Sequence, residues 1–322
     1  MLSAILALLA DGKFHSGQDL GKALGVSRSA VWKQMQLVQD LGLEVYSVKG
    51  RGYRLPGGLD LLDAEKLVAG FDRSIADKIS VQPIEYSMPS TNAAALGGFA
   101  DQVSGCRLYV AEQQTAGRGR RGRQWVSPFA ANLYFSLTWQ FSSGVAALEG
   151  LSLVVGVALL RGLRQLGVSD ASVKWPNDLL WRKRKLAGVL LEMVGDASGE
   201  CNVVIGIGMN VNMPRQEMTG VEQPWVDLSE IIGGAPSRTE VLSVLINALI
   251  PTLEEFVENG FGGLRDEWQA ANSFQDQAVE LQTAQHNIQG VCRGVNDTGA
   301  LLLETGNGVE VFHGGEVSLR AS

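Results

Sequence analysis

The chain has 322 residues, enough for about two domains of ordinary size and a sizeable core. A net charge of -7 excludes a protein that coats nucleic acid over its whole surface. It leaves room for a local DNA-binding face: residues 1–60 hold seven Lys and Arg against five Asp and Glu, so the acidic excess lies further along. The three cysteines, Cys106, Cys201 and Cys292, are far apart and form no C-x-x-C pair, and there are only three histidines. That argues against a disulfide framework or a zinc site and fits a reduced compartment. The apolar runs at residues 2–10 and 151–160 are too short to span a bilayer. The expectation is a cytoplasmic protein with no membrane partner.

In chain order, residues 2–10 read as a first helix. Ser16 caps a second, with Asp19 three residues on as in a capping box, and Gly25 ends it. Ser27 caps a third, expected to run to about Leu41 with Val31, Met35, Val38 and Leu41 on its apolar face and Gly42 as its stop. The short Leu24-Gly25-Val26 turn marks a helix-turn-helix over about residues 17–36. Two short strands follow, joined by Lys49-Gly50-Arg51, which completes a winged helix-turn-helix. Ser27, Arg28, Ser29, Trp32, Lys33 and Gln36 face outward toward a major groove, and Lys49 and Arg51 toward phosphates. A module used only for packing or protein contact remains the alternative.

Pro56-Gly57-Gly58 reads as a linker. The centre mixes strands (108–112, 133–139, 172–175, 186–192, 203–207) with helices (148–165, 238–259), giving an α+β layer in which helices cover one face of a sheet. The last fifty residues hold short strands at 279–282, 288–294, 300–304 and 309–312, the pattern of a small SH3-like β-barrel. The expected division is a winged helix-turn-helix at 1–61, a ligand-binding domain at 62–270 and a small barrel at 271–322.

The segment Gly117-Arg118-Gly119-Arg120-Arg121-Gly122-Arg123 packs four arginines and three glycines into seven residues. Such a run does not pack in a core, and ordering it costs entropy that an anionic ligand can offset. Arginine offers planar, bidentate bonding to carboxylate and phosphate, so a clamp over a phosphate-bearing ligand is favoured over a solvated basic loop or an RNA patch. No Walker A loop is present. Ser90-Thr91-Asn92 offers a cluster for a neutral polar ligand, and equally a cap for the helix that follows. Lys174-Trp175-Pro176-Asn177-Asp178 ends a strand in a turn whose Asn and Asp suit magnesium or phosphate, or simply the turn. Arg182-Lys183-Arg184-Lys185-Leu186-Ala187-Gly188 is a basic hairpin entering a strand, read alone as a solvated turn. In Gly206-Ile207-Gly208-Met209-Asn210-Val211-Asn212 the glycines permit close ligand approach, and no helix follows as a dinucleotide fold would require.

In this order these motifs resemble the biotin–protein ligase family, in its bacterial bifunctional form of biotin operon repressor and biotin–[acetyl-CoA-carboxylase] ligase. With the winged helix and the closing Gly314-Gly315-Glu316-Val317-Ser318-Leu319-Arg320, the resemblance covers nearly the whole chain. It implies a central α/β catalytic domain of that type, with a mixed sheet and helices. It implies ATP, Mg2+ and biotin as ligands, with biotinyl-5'-AMP as intermediate and corepressor. Partners are the biotin carboxyl carrier protein of acetyl-CoA carboxylase, biotin operator DNA, and a second copy in an adenylate-dependent homodimer. Ser90, Thr91, Asn92, Gln114, Gly117, Arg118, Gly119, Arg120, Trp125, Lys185, Gly188 and Gly206 would surround biotin. Arg120, Arg121, Arg123, Lys174, Asn177, Asp178, Asn210 and Trp225 would take the ATP and adenylate side, with Asp178 toward magnesium. Lys185, Arg118 and Arg120 would carry the chemistry. Residues 211–223 depart from the family pattern, which bears on regulation more than on ligation. The rival readings are a ligand-sensing regulator without turnover, a lipoate- or octanoate-attaching enzyme, and a ligase that no longer represses.

Overall fold

The computed structural model describes residues 1–99, 105–141, 148–195, 201–283, 287–313 and 318–321. Residues 314–317 of the closing motif therefore lie outside the described residues.

The N-terminal module forms from α1 (Leu2–Leu9), α2 (Gly17–Leu24), α3 (Arg28–Asp40), β1 (Tyr46–Val48) and β2 (Gly52–Arg54). The Ser16 hydroxyl accepts from Asp19 N–H and the Ser27 hydroxyl from Ala30 N–H, so both helices are capped by side chains. Gly25 takes the left-handed conformation and ends α2. Helix α3 stops at Asp40, one residue earlier than its apolar spacing suggests, with Gly42 at positive φ beyond it. Ile5, Leu6, Leu9, Leu20, Val31, Met35, Val38 and Leu55 form the module's core, and Phe129 from the central region is buried among them. The module is thus docked on the rest of the chain by apolar contact as well as by its linker.

The centre is one seven-stranded mixed sheet. Its strands are β3 (Ile79–Val81), β4 (Cys106–Ala111), β5 (Leu133–Phe141), β6 (Ala171–Lys174), β7 (Asp178–Trp181), β8 (Arg184–Gly195) and β9 (Cys201–Met209), in the order β3-β4-β5-β9-β8-β7-β6. Among the described strands of this sheet, only the β3–β4 pair is parallel. Strands β3 and β7 were not expected from the sequence. β3 is three residues long, and β7 begins within the turn motif at Asp178, where Asn-Asp composition reads as a turn. Strand β8 is longer than its apolar stretch because the Arg182-Lys183 turn, with both residues at positive φ, hands the chain directly into pairing with β7.

The sheet's two faces differ. Phe135, Leu137, Val189, Ile205 and Ile207 face a core shared with α7 (Leu151–Gln165) and α9 (Arg238–Asn259), as the edge-on Phe141–Phe256 contact illustrates. On the other face the paired positions Ser136↔Gly206, Leu190↔Gly206 and Gly188↔Gly208 lie in a row, with α6 (Thr91–Gly98) over Gly206 and Trp125 over Gly188 and Gly208. Residues directly paired across an antiparallel ladder share a face, so this row forms the floor of a site.

The C-terminal sheet holds β10 (Ala278–Gln282), β11 (Asn287–Val295), β12 (Leu301–Thr305), β13 (Gly308–Phe312) and β14 (Ser318–Ala321), all antiparallel in the order β13-β12-β11-β10-β14. Strand β14 is one more than the sequence suggested. The buried Trp175 ties this sheet to the centre by donating its indole N–H to Gly299 O at 3.0 Å. Among the described residues no helix is long and apolar enough to cross a membrane.

Candidate functional site

The floor opens into a cavity of about 640 Å³. Every residue assigned above to the biotin or ATP side lines it except Gly117. Gly117 sits behind the wall, where a Cβ would stand 2.7 Å from Trp125 O and 2.8 Å from Ser127 Oγ. Its lack of a side chain is therefore a packing requirement.

One end of the cavity is a hydrogen-bonded polar floor. Ser90 caps α6, and the next two residues enter the site on its first turn. Gln114 Oε1 accepts from Thr91 N–H at 2.9 Å and from the Thr91 hydroxyl at 3.2 Å. Ser136, buried on β5, donates to Asn92 Oδ1 at 2.6 Å and lies 2.7 Å from Thr91 Oγ1. Asn92 Nδ2 donates to Glu192 Oε2 at 2.7 Å and to Leu190 O at 3.3 Å. The Asn92 carboxamide is thus held from both sides. A Cβ on Gly206 would lie 2.0 Å from Asn92 Oδ1, and one on Gly208 would lie 2.4 Å from the Trp125 ring. The two glycines make room for side chains that close over them.

The other end concentrates charge. The Lys185 ammonium is 2.7 Å from Asp178 Oδ1, and the Lys174 ammonium is 3.6 Å from Asp178 Oδ2. Burial pushes the Asp178 carboxyl up. The two ammoniums and hydrogen bonds from Lys185 and Gln223 outweigh that and hold it below the usual aspartate range. Lys185 also lies over the Trp125 ring at 5.4 Å. Arg120 donates to Asn177 Oδ1 at 3.2 Å, and Asn177 Nδ2 donates to Val189 O at 2.8 Å. Burial lowers the Arg120 guanidinium from its ordinary value, partly countered by Asp178, and arginine remains cationic at neutral pH.

The arginine loop is a closed hairpin. Trp125 N–H donates to Gly117 O at 2.9 Å and Gly119 N–H to Arg123 O at 2.7 Å, and Arg121 turns at φ 59°. Arg118 is bonded to Glu192 at 3.1 Å, Arg120 to Asn177, and Arg121 to Gln282 O at 3.3 Å on the C-terminal sheet. Arg123 is exposed at its end.

Asn210 is buried and lines the cavity, with its Nδ2 donating to Val226 O at 3.1 Å and Lys185 O at 3.4 Å. It joins the start of β8 to the Trp225 segment, which pairs with Lys185. Sequence reasoning missed Met213, Glu217, Met218 and Gln223, which line the cavity from the stretch that departs from the family pattern, and Ser136 and Glu192, which stand behind the lining and hold Asn92. Apolar alternation along β5 and β8 marks their faces, but no local motif marks Ser136 or Glu192 as polar floor residues. Asp178 does not fit a resident metal ion, because both its oxygens face ammoniums, and among the described residues no cluster of three His, Cys, Asp or Glu stands ready for one.

In the winged helix, Arg28, Ser29, Trp32, Lys33 and Gln36 are exposed along α3, with Ser27 at its cap, and Lys49 and Arg51 are exposed at the wing. Trp32 keeps 55% of its surface in solvent, unusual for a large aromatic and consistent with a contact face. Arg51 lies over the Phe14 ring at 4.2 Å, so the wing tip is braced against the helical body.

Fold, cavity and N-terminal module together define a ligand-binding α/β core joined to a helix-turn-helix. The family model described as biotin/lipoate A/B protein ligase family matches residues 85–210, one described as HTH domain matches 2–54, and one described as biotin protein ligase C terminal domain matches 276–320. The chain is 42% identical over 318 residues to the bifunctional ligase/repressor BirA of Salmonella typhimurium, covering 99% of this chain and 97% of the relative. It is 41% identical to that of Escherichia coli over the same shares. A solved biotin protein ligase from Aquifex aeolicus in complex with biotin and ATP superposes with a TM-score of 0.65 at 28% identity, covering 76% of this chain and 99% of that one. The chain belongs to the bifunctional biotin ligase/repressor family.

Proposed function

We propose that this protein is an ATP-dependent biotin–protein ligase that also represses transcription through its winged helix. The observation that carries the ligase reading is one cavity holding a hydrogen-bonded polar floor at one end and Lys185, Lys174, Arg120 and Asp178 at the other. A bicyclic urea suits the floor. Its carboxylate then points toward the cationic end.

The first step joins two anions. A biotin carboxylate oxygen attacks the α-phosphorus of ATP, the P–O bond to the β-phosphate breaks, and pyrophosphate leaves. Lys185, Arg118 and Arg120 offset the repulsion and the growing charge, and a well-placed donor is typically worth about 10²–10³-fold in rate. Asp178 positions the Lys185 side chain through their 2.7 Å ion pair. In the second step the neutral amine of the acceptor lysine attacks the acyl carbon, AMP leaves with the bridging oxygen, and the amine gives up its proton. The adenylate hydrolyses if water reaches it, so a closed arginine loop protects it. Mg2+ enters, on this reading, as the counter-ion of the ATP phosphates and not as an ion caged by protein. Arg123, Asn210 and Trp225 border the adenine.

The acceptor is the biotin carboxyl carrier protein, and the DNA partner is a biotin operator read by α3 and the wing. Adenylate-dependent homodimerisation, a cytoplasmic location and a division at residues 61 and 270 belong to the same proposal. The test is intact mass of a biotin-acceptor domain after incubation with the full chain, ATP, magnesium and biotin. One biotinyl addition is expected, with Lys185→Ala slower by about 10²-fold or more. No addition together with ligand-dependent DNA binding would favour a sensor without turnover.

A further inference from the structure

We propose that Glu192 is a positioning residue that latches the arginine loop over the adenylate through Arg118; this rests on the ligase reading above. Glu192 lies on the site face of β8, two residues beyond Leu190 in the row that pairs with Gly206. One oxygen, Oε2, receives both Asn92 Nδ2 at 2.7 Å and Arg118 at 3.1 Å. Asn92 is itself immobilised, because Ser136 fixes its Oδ1 and Gly206 leaves no spare space beneath it. Glu192 is therefore a carboxylate held from below by the floor and offered upward to the loop.

The loop needs such an anchor. Its glycines give an open form high entropy, which fixed contacts must offset. Its arginines reach three different elements: Arg118 bonds β8, Arg120 the turn before β7, and Arg121 the C-terminal sheet. Arg118 and Glu192 are both partly exposed, so the pair contributes little to overall folding. It bears instead on how often a loop without core packing opens. Glu192 also links the two ends of the chemistry, since the atom that orients the floor amide also restrains the loop.

The experiment loads the full chain with synthetic biotinyl-adenylate and follows its release into excess competitor. Glu192→Gln keeps an acceptor for Asn92 but loses the ion pair. It is expected to speed release about threefold to fivefold, as a partly exposed ion pair allows, while KM for biotin rises less than release does. Glu192→Ala should speed release equally and raise KM further, because Asn92 loses its partner. In the Arg118→Gln background, Glu192→Gln should add nothing further. Wild-type release from Glu192→Gln, or multiplicative effects of the two substitutions, would overturn the latch. Wild-type protein that holds the adenylate and transfers biotin preserves the ligase reading in that case. Wild-type protein that neither binds nor makes the adenylate overturns both.

Discussion

The two functional regions deploy charge in opposite ways. In the cavity, Lys174 keeps only 6% of its surface in solvent, and Lys185 and Asp178 close on one another at 2.7 Å. In the winged helix, Arg28, Lys33, Lys49 and Arg51 stand exposed along one helix and one hairpin. A buried charge without its partner is costly, so the cavity charges form a set in which each needs the others. An exposed charge costs little to keep and little to lose, and salt screens it. The first arrangement fixes geometry for a reaction. The second offers a movable phosphate-binding surface whose strength follows ionic conditions.

Removing the centre of the buried set should have the largest effect. Asp178→Asn leaves two ammoniums in one pocket with no carboxylate between them. A loss of about 3 kcal/mol in stability is expected, together with a collapse of adenylate formation, measured by chemical unfolding and pyrophosphate release. The sign of the pH dependence follows from the same set. The folded carboxyl titrates below its unfolded value, so its contribution is fully present above the unfolded pKa near 3.8 and is lost as pH falls through the lower folded one. Between pH 5 and 8 the Asp178 contribution should therefore be flat. A titration of stability in that window that vanishes in Asp178→Asn would break the account.

The glycine-lined floor should respond to shape more than to charge. Gly206→Ala places a methyl 2.0 Å from Asn92 Oδ1, in a site where Ser136 and Glu192 already fix that side chain. Overpacking of this kind costs about 1–3 kcal/mol, so biotin affinity should fall about 10- to 100-fold. Calorimetric titration with biotin alone would show it, and unchanged affinity would mean that the floor does not meet the ligand.

The parts of this architecture legible in the sequence are those with a local cause. Ser16 and Ser27 announce their helices because capping is a matter of neighbouring residues. The arginine loop is visible because no core accepts four arginines in seven residues. The floor is different. Ser136 and Glu192 sit on strands whose apolar alternation declares two faces but not what each face meets, and they become site residues only when β5, β9 and β8 align. Asp178 illustrates the same limit within a recognised motif: its Asn-Asp context reads as a turn, whereas the register of β7 against β8 sets it beside Lys185. Arg238, with 1% exposure, bonds to Glu112 at 2.6 Å and to Asn132 O at 3.0 Å, joining parts of the chain more than a hundred residues apart that no window on the sequence connects.

The smallest expected effect separates the two regions most cleanly. Lys33 is exposed on α3, one residue after the half-bare Trp32, and no core contact depends on its charge. Lys33→Ala should leave stability and biotin transfer at wild-type levels. If the ammonium meets a phosphate, operator affinity should fall severalfold, and the slope of log affinity against log salt should become shallower by about one. The loss should be the same for operator and unrelated DNA, since a phosphate contact carries no base information. A loss confined to the operator would place Lys33 on a base edge instead. An unchanged slope would remove it from the interface, and the exposed charge of α3 would then require a partner other than DNA.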